Sequence, residues 1–284
     1  MLSYRHAFHA GNSADVHKHI ILSVIVQSLL NKDSPFCYLD THAAASCYDL
    51  YSTEAQKNAE FRHGILRLWQ EQGNAPTAVR AYLAAVQAAN LRHSGDVLRY
   101  YPGSPRIVRH FLRTQDRMIL TELHTADFQR LQKEFASDRQ VSVHCLDAYQ
   151  GLKAFLPPKE RRGLVLIDPA YENRDEAARM IKGLQIAYKR WSNGVFMLWF
   201  PITNNSALDT FYQGLEKSGI RKILSCEFCL QAPVTARRLS GSVMIIINPP
   251  WRVDNTLQEI QPWLIDTLAE DGKGSQKVEW RIPE

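Results

Sequence analysis

Gly163-Leu164-Val165-Leu166-Ile167-Asp168-Pro169-Ala170-Tyr171-Glu172 is the stretch on which the reading of the fold turns. Its short aliphatic run reads as a strand buried on both faces, as in a parallel sheet. The run stops at a carboxylate, a proline and an aromatic residue. Ligands of open α/β sheets bind beyond the carboxyl ends of the strands, so Asp168 stands at the binding edge. Pro169 stiffens the turn and Tyr171 offers a flat face beside an acceptor. A strand ending in a capped turn, with no chemistry, is the plainer alternative for these ten residues alone.

Outward from this stretch, strand and helix signals alternate. Residues 118–122, ending in Glu122, and 141–146, followed by Asp147, read as the two preceding strands, with helices at 127–135 and 148–155. A long amphipathic helix over 175–191, a strand over 195–200 and a helix over 207–217 follow it. Residues 221–230 and 242–247 are strands with no helix between them, so they are expected to pair antiparallel. A last helix covers 256–269 and a polar tail closes the chain. Toward the start, Asn12 or Ser13 caps a helix running through Leu30. Residues 36–40 form the first buried strand, opening into Thr41-His42-Ala43-Ala44-Ala45-Ser46. Two amphipathic helices, 53–72 and 76–90, carry Arg62, His63, Arg67 and Arg80, with Arg92 and His93 just beyond. They read as a helical insertion (52–100) in an α/β domain of residues 1–51 and 101–284. Tyr100-Tyr101-Pro102-Gly103-Ser104-Pro105 reads as a turn into another helix, with Ser104 as N-cap. Strands joined by helices imply a mostly parallel, twisted sheet with helices on both faces.

With 284 residues, 45% hydrophobic and 22% charged, the composition is that of a soluble globular protein, and a net charge of +5 permits a nucleic-acid partner. Five scattered cysteines make no disulfide framework, which fits a reducing, cytoplasmic setting. The lone pair Cys226 and Cys229 has no second pair to complete a zinc site. His17 and His19 point to different sides of a helix, so no metal is expected. The longest apolar run, Ile20 to Leu30, is too short to span a bilayer.

One regularity raises Asp168 above a single motif. Glu122, Asp147 and Asp168 each follow a strand, and His42 sits just past Asp40 at the end of the first. In a parallel sheet these ends share one edge, so the groups converge on one crevice. An acid after the second strand suits ribose hydroxyls, and one after the third suits the amino group of a bound adenine. Asp168 then faces the reacting centre. Its carboxylate and a carbonyl of the turn can orient both hydrogens of an exocyclic amine, a poor nucleophile in its planar form. Tyr171 can stack on an extruded base, a contact worth roughly 1–3 kcal/mol. Ile247-Asn248-Pro249-Pro250-Trp251 is closer in text to an amino-methyltransferase tetrad. It ends a strand expected to run antiparallel, and so belongs at the opposite edge.

Taken together, these residues resemble a class I, Rossmann-like S-adenosylmethionine-dependent methyltransferase. More narrowly, the chain is similar to the RlmJ family of bacterial 23S ribosomal RNA adenine-N6 methyltransferases. The similarity lies in Tyr4-Arg5-His6-Ala7-Phe8-His9-Ala10-Gly11-Asn12 with Ala14-Asp15-Val16 and Lys18-His19, in Tyr38-Leu39-Asp40-Thr41-His42-Ala43, in Tyr101-Pro102-Gly103-Ser104-Pro105, and in the closing Ile247 to Trp251. The resemblance implies cofactor contacts at His19, His42, Ser104, Glu122, Asp147, Ala148 and Asp168. It implies Asp168 as the catalytic acceptor, within a tetrad that includes Pro169 and Tyr171, and Tyr4 as a substrate contact. Arg5, His6 and Lys18 join the RNA side on charge and proximity. S-adenosylmethionine is the expected cofactor and 23S rRNA the expected partner, with a monomer, no metal and no membrane. The chain departs from the family at Ala44, Ala45 and Ser46, where glycines usually stand, and at Ala170, where a second proline does. Alternatives are DNA adenine-N6 methylation, or a nucleic-acid-binding or assembly protein with weakened catalysis, including a role in use of external DNA.

Overall fold

Leu164 and Leu166 pack into one hydrophobic core and Val165 and Ile167 into another, which is the burial on both faces expected of the aliphatic run. Burying each such side chain stabilises by roughly 1.5–3 kcal/mol. The computed structural model describes residues 5–91, 97–173, 175–203, 205–230, 239–269 and 274–283. Its first half comprises α1 (Ser13–Leu30), β1 (Cys37–Asp40), β2 (Cys47–Asp49), α2 (Thr53–Asn58), α3 (Ile65–Gln70), α4 (Thr77–Asn90), β3 (Tyr100–Pro102), α5 (Ser104–Phe111), β4 (Arg117–Thr121) and α6 (Thr125–Glu134). The second half comprises β5 (Val141–His144), α7 (Ala148–Phe155), β6 (Gly163–Ile167), α8 (Glu176–Arg190), β7 (Val195–Ile202), α9 (Asn205–Glu216), β8 (Ile223–Cys229), β9 (Gly241–Ile247), α10 (Val253–Leu268) and β10 (Ser275–Ile282).

The main sheet has the order β10-β8-β9-β7-β6-β1-β4-β5. Strands β5, β4, β1, β6 and β7 are mutually parallel, while β9 runs antiparallel to β7 and β8 antiparallel to β9. The chain moves outward in opposite directions from β1 and from β6. The crevice between their carboxyl ends is therefore the switch point at which open α/β sheets bind ligands. One core lies under α1, α4, α5 and α10, and the other under α7, α8 and α9. Helix α1 is buried nearly all round, as an apolar helix wedged between a sheet and other helices must be.

Four local expectations change. The helix expected over 53–72 is broken: Ala59 takes a left-handed conformation between α2 and a 3₁₀ turn at Glu60–His63, and α3 follows. The break lets Gly64 meet the N-terminal segment. The Ile65 N–H donates to the Gly11 carbonyl at 2.9 Å, and a β-carbon on Gly64 would stand 2.1 Å from that same oxygen. Cys47–Asp49 and Tyr100–Pro102 are a small antiparallel ladder rather than loop and turn. Ser104 is the first residue of α5, not its cap; Gly103 occupies the cap with no side-chain bond. The polar tail is an edge strand, β10, paired antiparallel with β8. Its charged, partly exposed residues and a register shift between Trp280 and Ile282 hid it. Among the described residues no helix is long and apolar enough to cross a membrane.

Candidate active site

The carboxyl ends of β1, β4, β5 and β6 open into a cavity of about 810 Å³. His6, Lys18, His19, His42, Ser104, Glu122, Asp147, Ala148, Asp168, Pro169 and Tyr171 all line it. The acid series converges as expected because the strands are in register, Asp40 opposite Leu120 and Leu166, and Thr121 opposite His144. Tyr4, Arg92 and His93 lie outside the described residues. Arg5 pairs with Glu54 at 3.6 Å and does not line the cavity.

Each acid is held by groups of its own. Glu122 accepts the Ala44 N–H at 2.7 Å and the His124 N–H at 2.6 Å. Burial pushes its carboxyl up, and the two backbone donors oppose that shift. Ala44 reaches Glu122 with φ +48°, a left-handed conformation that accounts for glycine being usual in this loop. Asp147 caps α7, accepting from the Tyr149 and Gln150 N–H groups at 3.0 and 3.1 Å, with Arg179 at 3.7 Å. His42 sits edge-on to Tyr149 with its Nδ1 2.9 Å from Thr41 Oγ1. Burial lowers its basicity despite the nearby carboxylates of Asp168, Glu176 and Asp147. His19 Nδ1 is 2.7 Å from the Tyr101 hydroxyl and is likewise held neutral by burial.

Asp40, two residues before His42, is a buttress. Wholly buried, it accepts from the Tyr38 hydroxyl at 2.7 Å, the Ser104 hydroxyl at 2.6 Å and the His42 N–H at 3.3 Å. The Ser104 hydroxyl is thus committed inward, and what it presents to the cavity is the start of α5. A buried carboxylate must find donors, which is the signal that Asp40 carried in the sequence.

The assignment of Lys18 to an RNA-facing surface is corrected. Its ammonium is buried, 2.5 Å from Asp168 Oδ2 and 2.9 Å from Asp15 Oδ1. Burial works against its charge, yet the Asp15 and Asp168 carboxylates outweigh it and hold Lys18 above the ordinary lysine range. Asp15 in turn accepts from the Gly11 N–H at 2.9 Å and stands 2.8 Å from His6 Nε2. Gly11 has φ +80°, which supplies the turn that aims its N–H at this carboxylate. His6, Asp15, Lys18 and Asp168 therefore form one chain of contacts across the cavity wall. The spacing of Asp15 and Lys18, one helical turn apart, was the available signal.

Tyr171, at φ +54°, folds back so that its hydroxyl donates to the Trp199 carbonyl at 2.5 Å. Its ring stands 5.7 Å from that of Trp199 and 5.3 Å from that of Phe200. Trp199 also lines the cavity, and its buried indole N–H has no partner among the described residues. Beyond Asp168 the wall turns apolar, with Pro201, Phe228, Leu230 and Leu268. Asn248 to Trp251 lie at the far edge, since Ile247 pairs with Phe196 at the start of β7. There Asn248 donates to the Ser192 and Gly194 carbonyls, both at 2.8 Å, a structural task.

The donor set fits a nucleoside with a cationic, methyl-bearing centre: Glu122 and Asp147 at neighbouring strand ends, half-exposed Leu123 beside Glu122, and the Asp168 carboxylate nearby. Sheet order and crevice together define a Rossmann-like methyltransferase, whose methyl donor is S-adenosylmethionine. Comparison with known proteins narrows the class. The family model for ribosomal RNA large subunit methyltransferase D, RlmJ, matches residues 33–282. Curated proteins called ribosomal RNA large subunit methyltransferase J match over the full length of both chains, at 44% identity from Haemophilus influenzae and 45% from Escherichia coli. A crystal structure of a Legionella pneumophila protein aligns with TM-score 0.88 and 32% identity, covering 96% of this chain and 98% of that one. The chain belongs to the RlmJ family of large-subunit ribosomal RNA methyltransferases.

Proposed function

We propose that this protein transfers a methyl group to the exocyclic N6 amine of an adenine in 23S ribosomal RNA. One observation carries the reading: Asp168 ends β6 inside the crevice that also holds Glu122 and Asp147. The name borne by the curated relatives supports the RNA as substrate.

S-adenosylmethionine, when bound, supplies an electrophilic methyl group on a sulfonium centre. His19, His42, Ser104, Glu122, Asp147 and Ala148 would hold it. Glu122 keeps lone pairs beyond its two backbone donors for ribose hydroxyls, and Asp147 keeps one oxygen for a base amine. Asp168 accepts one hydrogen of the target amine and the carbonyl of Pro169 the other, which turns the nitrogen lone pair out of conjugation. As the new N–C bond forms the methyl–sulfur bond would break, with S-adenosylhomocysteine leaving as a neutral thioether; the nitrogen acidifies, and Asp168 takes the proton. Lys18 keeps that carboxylate oriented and its charge compensated. Most of the acceleration comes from placement, which can be worth about 7–11 kcal/mol in well-oriented reactions. Tyr171 and Trp199 offer aromatic surface to the extruded base, with Tyr4, Arg5 and His6 toward the RNA. We read residues 52–100 as a helical insertion in a methyltransferase domain of 1–51 and 101–284. We also read the protein as a metal-free monomer of the cytoplasm; free thiols at all five cysteines fit a reducing compartment.

The test is to map N6-methyladenine in ribosomal RNA from cells with and without this protein, and on protein-free RNA incubated with it and S-adenosylmethionine. A single adenine gaining the mark only with the protein supports the reading. Unchanged RNA in both settings contradicts it.

A further inference from the structure

The mouth of the cavity has two rims that differ in how their cations are used. On the side of α6 and α8, Arg130 lies 3.4 Å from Asp127 and Arg179 lies 3.2 Å from Glu176, and both of those carboxylates belong to residues that line the cavity. On the side of α2 and the 3₁₀ turn at Glu60–His63, the acids are already engaged. Glu60 sits 2.8 Å from His9 Nδ1 and accepts from Asn12 at 3.0 Å, and Glu54 pairs with Arg5. Exposed Lys57 and Arg62 have no carboxylate partner among the described residues. Each instead rests on an aromatic ring, Lys57 5.6 Å from the centroid of Phe8 and Arg62 6.0 Å from that of Phe61. Between them in sequence lies Glu60, a residue of the cavity wall, and His9 and His63 of the same rim also line it.

We propose that Lys57 and Arg62 form the phosphate-binding rim that grips the RNA strand carrying the target adenine. This rests on the reading of the protein as an RNA methyltransferase. A base can enter the cavity only if its nucleotide is turned out of the stack, which sacrifices its stacking and pairing. Fixing the phosphates beside it is how a protein meets that cost without reading sequence. Cations already neutralised by protein carboxylates release few counterions on contact with RNA, so the paired rim is poorly suited to the task. Lys57 and Arg62 are uncompensated, and the rings beneath them limit the freedom they lose on binding. The two short helical pieces, separated by left-handed Ala59, set Lys57 and Arg62 on either side of Glu60, which lines the cavity, whereas five positions along a single straight helix over 53–72 would put them on different faces. On this account the break in the helix serves substrate binding.

The test uses the full chain and a protein-free transcript of the large-subunit RNA. Binding is followed across about 50–200 mM salt, and initial rates are measured against RNA concentration. Each phosphate contact to a single strand contributes about 0.7 to the slope of log K against log salt. The double variant Lys57→Gln, Arg62→Gln should therefore lose about 1.4 from that slope. Its KM for RNA should rise about tenfold or more, with calorimetric affinity for S-adenosylmethionine and melting temperature as in the parent. Arg62→Lys, which keeps the charge, should retain the slope, and Arg130→Gln on the opposite rim should behave as the parent. An unchanged slope and KM in the double variant overturns the proposal, as does an equal loss in Arg130→Gln or a slope change seen only with duplex DNA. Failure of the parent itself to bind or methylate the transcript overturns the functional reading too. The two failures are distinguishable because only the second is present before any substitution.

Discussion

The ammonium of Lys18 donates to Asp168 at 2.5 Å across 150 positions of sequence. The pair joins the first turns of α1 to the end of β6, and Asp15 completes it from the other side at 2.9 Å. A buried ammonium between two carboxylates is stable only as a set, since each charge compensates the desolvation of the others.

Replacing Lys18 by methionine leaves two carboxylates, one of them fully buried, without their cation. The expected cost is about 3–5 kcal/mol of stability, together with a loss of methyl transfer. Lys18→Arg should recover part of both. Chemical denaturation and initial rates on the same samples check this; a Lys18→Met protein as stable as the parent would show that the ion pair is not formed.

Ala44 holds φ +48° while donating to Glu122. Glycine there should stabilise the protein by roughly 0.5–1 kcal/mol, the left-handed strain relieved less the added freedom of the unfolded chain. Ala44→Val should destabilise by more than that, because a β-branched residue resists positive φ. Denaturant midpoints of the three proteins should fall in the order glycine, alanine, valine.

Asn248, at φ +52°, ties two carbonyls of the turn before β7. Asn248→Ala should cost about 1–3 kcal/mol of stability while methyl transfer at a permissive temperature stays within about twofold of the parent. A large loss of transfer with intact stability would move the active tetrad to this edge.

Much of this was legible in the sequence, and where it was not, the reason is physical. The aliphatic run 164–167 could hardly be other than a strand buried on two faces, and three successive strands ending in acids could share a crevice only in a parallel sheet. Asn248 to Trp251 could be set aside because the sequence carries no helix signal between strands 221–230 and 242–247, which points to antiparallel pairing. Lys18 was misread because its spacing from Asp15 suits an exposed helical pair equally well; its burial depends on Asp168, 150 positions away. Asp40 was passed over because its donors, Tyr38 and Ser104, lie on opposite sides of the 52–100 segment. The strand at 275–282 is nowhere more than partly buried and its register shifts between Trp280 and Ile282, so no alternation was there to read.

His17 is wholly buried, stacked on Phe228, with Nδ1 3.1 Å from Ser242 Oγ and Cys226 and Gln261 at its other nitrogen. Burial pushes its imidazole down to about 3, while the unfolded chain titrates near 6.5. The unfolded state thus binds a proton that the folded state refuses. The contribution is complete above pH 6.5 and is lost as pH falls toward 3, by up to about 1.4 kcal/mol per unit. Stability measured between pH 7 and 5 should fall more steeply for the parent than for His17→Gln. Equal slopes would mean that this imidazole is not held neutral by the fold.

The most direct test of the central claim compares Asp168→Asn with the parent for cofactor affinity and for methyl transfer to protein-free large-subunit RNA. The account predicts that the variant binds S-adenosylmethionine within about tenfold of the parent and transfers the methyl group more than about 100-fold more slowly. Transfer by the variant at a rate near that of the parent would contradict it.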